Sequence, residues 1–208
     1  MRLPYAPATA PPGNATTAAI YSRIAARRAP RPLIPLDLSL LHSPPVADGW
    51  NSFLGAIRTQ TVIDAGVLEL AVCRVAVLTG AVYEWNAHAP LALRGGVTGA
   101  ALQAVRSVAA TAEAEAPTPE LVSSALSARE QAVVRYADEM TLRVRVRDET
   151  FAALRSEAVG FSEREVVELT AGIAGYNCVS RVLVALDVGE NNGREMRSVE
   201  DLVQELQK

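Results

Sequence analysis

Residues 68–96 read LELAVCRVAVLTGAVYEWNAHAPLALRGG, the densest apolar run in the chain. Glu69, Cys73, Arg74, Tyr83, Glu84, Trp85 and His88 lie inside it. Carboxylates and an imidazole are rare in an apolar segment unless something buried pairs with them or uses them. Glu84 and His88 stand i, i+4, so they share one helical face within reach of a hydrogen bond. A carboxylate beside an imidazole fixes its tautomer and poises it for proton transfer near neutral pH. The bland alternative is an ordinary helix pair on a solvated face, against which the apolar flanks argue. Glu69 comes nineteen residues before His88. On one straight helix the two would be about 28 Å apart, too far to cooperate. A break at Thr79-Gly80 would fold the halves back and gather Glu69, Glu84 and His88 in one mainly apolar pocket. Spacing permits that meeting without dictating it.

Upstream of this run, residues 1–15 form a proline-rich arm without periodicity, expected on the surface or against a partner subunit. Thr16 or Thr17 is the expected cap of a first helix ending near Arg28. Prolines 30, 32 and 35 enforce an extended link, and LDLSLLHSPP reads as a short turn or helix ending at His42. Pro44 or Pro45 opens a helix with Trp50, Phe53, Leu54 and Ile57 as a stripe. Asp64 is the expected N-cap of the helix carrying Glu69.

Downstream, Thr98 caps a helix to about Ala110, and AEAEAPTPE is the clearest loop. Ser127 and Ser162 each open a capping box with a glutamate three residues on. Asp148 starts a helix expected to reach Ala158 and stop at Gly160. The helix after Ser162 is long and mostly apolar, with Gly172 and Gly175 allowing close approach of a neighbour. Ser198 caps a final amphipathic helix whose Val199, Leu202, Val203 and Leu206 need a surface to bury against. No strand alternation and no repeat appears, so the fold class is all-α.

Composition agrees. Half of the 208 residues are apolar, 21% are charged and the formal net charge is −3, which excludes disorder and the basic surface that nucleic acid requires. Aromatics make up only 5%, and small aliphatics suit close helix packing. Length fits a single domain over residues 1–208. The two cysteines, Cys73 and Cys178, read as buried free thiols; there is no CxxC and no metal-ligand spacing. The apolar runs are broken by Glu69, Arg74 and Glu84 and the N-terminus has no signal core, so no membrane span and a cytoplasmic location are expected. Arg74, five residues past Glu69, points elsewhere and reads as a buried salt-bridge partner. His42, Trp50, Trp85 and Tyr176 are candidate pocket walls, Tyr176 with Asn177 also reading as a satisfied buried polar pair.

The order ELAVCRVAVLTGAVYEWNAH with an apolar run to Gly95-Gly96, the block IPLDLSLLHSPPVADGWNSFLGAIR ahead of it and GIAGYNCVSRVLVALDV behind it resemble the carboxymuconolactone decarboxylase family, within the alkylhydroperoxidase D-like superfamily. The spacing Glu-x(14)-Glu-Trp-x-x-His carries much of this likeness. The resemblance implies an alkylhydroperoxidase D-like helical bundle, assembled into homo-oligomers such as trimers or hexamers. In the redox branch a catalytic glutamate and histidine would fall on Glu69 and His88, and the two thiols of a CxxC on Ala81 and Glu84. Neither is cysteine, so the resemblance implies a non-redox member. The catalytic set is then Glu69, Glu84 and His88, with Trp50, Trp85, Tyr176 and His42 at the substrate, and no cofactor or metal. The expected activity is decarboxylase or lyase chemistry on a small organic acid or lactone, with His88 oriented by Glu84 as proton donor. Proton transfer without CO2 loss (isomerase, dehydratase or cyclase) and a non-catalytic acid-binding or assembly role are the alternatives. No nucleic-acid or membrane partner is expected.

Overall fold

A computed structural model describes residues 1–107 and 125–207, and every regular element among them is helical. The expected loop AEAEAPTPE and the end of the helix toward Ala110 lie outside the described residues. Backbone contacts divide the chain into two units, residues 1–61 with 182–191 and residues 62–181 with 192–208.

The second unit is organised by a helical hairpin. Helix α4 (Ala65–Thr79) starts where the Asp64 carboxylate accepts from the Val67 N–H at 2.9 Å. It ends at Gly80, whose φ of 66° is left-handed and suits glycine. The Ala81 N–H reaches back to the Ala76 carbonyl at 2.9 Å, closing the turn. Helix α5 (Val82–Arg94) then runs back along α4. At the open end of the hairpin the two backbones nearly touch. A Cβ on Gly66 would lie 2.4 Å from the Gly95 carbonyl oxygen, and one on Gly95 would lie 2.8 Å from the Gly66 Cα. Only two glycines allow this crossing.

Helices α6 (Gly99–Ser107) and α7 (Ala128–Leu142) also pack on α4. Buried Arg74 joins all three, donating to Asp138 Oδ2 at 3.0 Å and to the Val105 carbonyl at 2.8 Å. The expected salt-bridge role is thus what Arg74 has. Ser127 and Ser162 form their capping boxes with Glu130 and Glu165. Helix α8 (Asp148–Leu154) is shorter than the expected Ala158 boundary. Its end is pulled into a turn in which the Phe161 N–H bonds the Leu154 carbonyl at 3.1 Å. Helix α9 (Glu163–Leu186) approaches α4 closely at Gly172, where a Cβ would meet Leu68 Cδ1 at 2.6 Å. By length and composition alone α9 is long and apolar enough to cross a membrane, a test that buried core helices also pass; 44% of its most apolar window is packed inside the protein. Helix α10 (Val199–Leu206) buries Val199 and Leu202 and packs on α5 and α6, so this stripe finds its surface within the chain.

In the first unit, α1 (Ala15–Arg28), α2 (Pro35–Leu40) and α3 (Pro44–Thr59) enclose Ile20, Tyr21, Ile24, Leu41 and Ala47. The cap of α1 is Asn14, which accepts from the Thr17 N–H; Thr16 and Thr17 already lie within the helix. Arg28 grips the Asp37 carboxylate with two bonds of 2.8 and 2.7 Å. The arm is tied down: Ala6 is buried and its N–H bonds the Leu38 carbonyl at 3.2 Å. On α3, Leu54 and Ile57 are buried while Phe53 is exposed.

Gly66→Ala is expected to force α4 from α5 at backbone rather than at a yielding side chain. The loss should be about 2–3 kcal/mol, read by denaturant unfolding.

Candidate active site

Glu69 lies on the second turn of α4 and His88 on the second turn of α5, and the hairpin brings them together. His88 Nδ1 is 2.7 Å from Glu69 Oε2, with the Glu69 side chain 4% exposed and the His88 ring 15% exposed. A carboxylate on Nδ1 makes that nitrogen the donor, which fixes the tautomer and aims Nε2 away from Glu69. The ring of Tyr176, from α9, stands edge-on to the imidazole with centroids 4.8 Å apart. Its lateral position is thereby held as well.

Glu84 behaves differently from the expected partner of His88. Both carboxyl oxygens are buried and accept no hydrogen bond, so the i, i+4 bond is not made and Glu69 is what orients the ring. With nothing to stabilise a charge there, burial pushes the Glu84 carboxyl well above the usual carboxylate range. The Cys73 thiol, wholly buried on α4, is also pushed up, chiefly by burial. Cys178 is exposed, which corrects its reading as a buried thiol.

Trp85 is fully buried, with its indole N–H donating to the Arg197 carbonyl at 3.0 Å and the Arg106 guanidinium 5.7 Å from its ring centroid. Those contacts belong to the C-terminal segment. His42 and Trp50 belong to the first unit. There His42 Nε2 donates to the Pro4 carbonyl at 2.6 Å, anchoring the arm, and Trp50 is half-buried on α3. Asn177 bonds Thr141 and Arg181, matching the satisfied polar reading. Arg106 was passed over by sequence reasoning, since a single arginine in the last turn of a short helix gives no signal. No group of three or more metal-ligating side chains gathers among the described residues.

The raised pKa of Glu84 has a consequence for stability. Its folded-state pKa lies above the unfolded one, so the native chain holds an extra proton between the two. Stability should therefore be full below about pH 4.5 and fall as pH rises above it, with a slope approaching 1.4 kcal/mol per pH unit. Glu84→Gln, which cannot ionise, should lack this component when unfolding curves are compared across pH 4–8. Equal slopes in both proteins would show Glu84 to be charged in the native state.

Residues 44–139, a little under half of the chain, match the sequence model of the carboxymuconolactone decarboxylase family, and they include Glu69, Glu84 and His88. Among solved structures, the chain is similar to a protein of unknown function from Agrobacterium tumefaciens, described there as a candidate antioxidant defence protein AhpD. The TM-score is 0.56 at 16% identity, covering 71% of this chain and 92% of that one. No curated protein sequence matches. Residues 44–139 thus resemble the carboxymuconolactone decarboxylase family in sequence, and the chain has the helical fold of the alkylhydroperoxidase D-like protein.

Proposed function

We propose that the protein is a cofactor-independent decarboxylase or related lyase that acts on a small organic acid or lactone by acid–base chemistry. The observation that carries this reading is a buried carboxyl without a hydrogen-bond partner, Glu84, whose pKa burial raises, in the same hairpin as the Glu69–His88 pair. Loss of CO2 leaves an electron pair on carbon, which is accessible when it can spread into a conjugated carbonyl of the substrate as an enolate. A neutral carboxylic acid stabilises that enolate by donating a hydrogen bond without itself carrying charge. An apolar surrounding favours the step further, because the departing carboxylate gives up its charge as CO2.

The vacated carbon then needs a proton. His88 supplies it from Nε2, and the C–H bond forms as the enolate electron pair returns to carbon. Glu69 holds the ring in register and balances its charge while it carries two protons. With part of the ring exposed, water can restore the proton afterwards. The edge of Tyr176 limits how the ring can turn.

The antioxidant description of the Agrobacterium protein suggests thiol chemistry as the competing reading. A dithiol step needs two sulfurs that can bond to each other and a reactive thiolate. This chain has two cysteines: Cys73 is buried and pushed up, and Cys178 is exposed on α9. The residues present therefore support acid–base work in preference to redox work.

The test is a panel of small carboxylic acids bearing a conjugated carbonyl, followed for released CO2 in deuterated water. The expected result is CO2 release with one deuterium on the vacated carbon. His88→Ala should lower turnover by at least about 10²-fold with helix content unchanged. Deuterium uptake without CO2 would assign an isomerase-type reaction instead, and full turnover in His88→Ala would overturn the role of the imidazole.

A further inference from the structure

We propose that residues 194–198 form a strap that positions α5, and that Arg106 and Asn86 are the positioning residues that fasten it. Helix α5 is poorly equipped to hold itself. Its N-cap is Ala81, which has no side chain able to cap. Pro90 lies in its interior, so the bond from residue 90 to the Asn86 carbonyl cannot form. His88 sits in the turn that loses this bond.

External bonds meet α5 at the same place. The Arg197 carbonyl accepts from Trp85 Nε1 at 3.0 Å and from Arg106 Nη1 at 3.1 Å. The Met196 carbonyl accepts from Arg106 Nη2 at 3.0 Å, and the Arg197 N–H donates to Asn86 Oδ1 at 3.0 Å. Trp85 and Asn86 are the residues that follow Glu84 and lead to His88. Beyond the strap, Ser198 caps α10, and the buried Val199 and Leu202 moor it on α5 and α6. The strap is gripped through main-chain atoms, so its path matters more than its side chains. It lies beyond the residues 44–139 that match the family, and thus adds to the site from outside that shared region.

The functional weight of the strap rests on the acid–base reading of Glu84 and His88, but its presence can be measured without substrate. In the labelled full-length chain, the His88 Nδ1 proton held by Glu69 gives an NMR resonance, and hydrogen exchange reports on residues 82–94. The double variant Arg106→Met/Asn86→Ala removes three of the four bonds and keeps the indole in place. We expect at least tenfold faster exchange in α5, unchanged exchange in α7, and loss or broadening of the His88 resonance. Asn86→Asp in the same background still accepts from the Arg197 N–H and should restore the resonance in part. If the double variant fails to fold, Asn86→Ala against Asn86→Asp carries the comparison alone. Unchanged α5 exchange and an intact resonance would overturn the strap, as would equal acceleration in α7, which marks general destabilisation. A chain that turns over no acid yet loses the resonance when the strap is cut keeps the strap and discards the acid–base reading.

Discussion

The contact between Glu69 and His88 exists because two helices are allowed to cross almost backbone to backbone. Their side chains meet at 2.7 Å only while α4 and α5 remain a tight antiparallel pair. The Gly66–Gly95 crossing sets that spacing at one end, and the left-handed turn at Gly80 sets it at the other. Between them α4 is buried from Leu68 to Ala76, so the hairpin cannot shift without moving its neighbours. The geometry of the candidate site is therefore a property of backbone packing, with the Glu69–His88 contact as its readout.

That packing places several ionisable groups in the interior, and each is accommodated differently. Arg74 is accommodated because Asp138 and the Val105 carbonyl accept from its donors. Glu69 has an imidazole to share a proton with. Glu84 has neither, and burial raises its pKa. One carboxylate paired and one carboxyl pushed toward its neutral form is the arrangement with the least uncompensated charge.

Much of this was legible in the sequence because it follows from local rules. Asp64, Ser127, Ser162 and Ser198 announced helix starts through short-range capping, and Gly80 announced a break through its missing Cβ. The family resemblance and the all-helical class rested on the same stretch. What escaped needed distances that no spacing contains. The i, i+4 rule put Glu84 beside His88, yet the partner of the ring came from nineteen residues away. Trp85 read as a pocket wall, but its indole is bound to a carbonyl more than a hundred residues later. The exposure of Cys178 and the burial of the last helix on α5 and α6 depended likewise on which neighbours arrived.

The division between Glu84 and His88 also bears on the direction in which protons can travel. Glu84 is sealed from solvent on both oxygens, so its proton is held by the cost of the charge that would remain. Such a group is suited to donate a hydrogen bond and keep the proton. His88 is open enough to exchange with water, and its Nδ1 side is committed to Glu69, leaving one nitrogen free for traffic. On the proposed lyase reading, a carbanion formed at this site would be protonated from the imidazole and steadied by the carboxyl. Exchanging the two roles would require ionising a buried carboxyl at the moment negative charge develops beside it, the most expensive course the site allows.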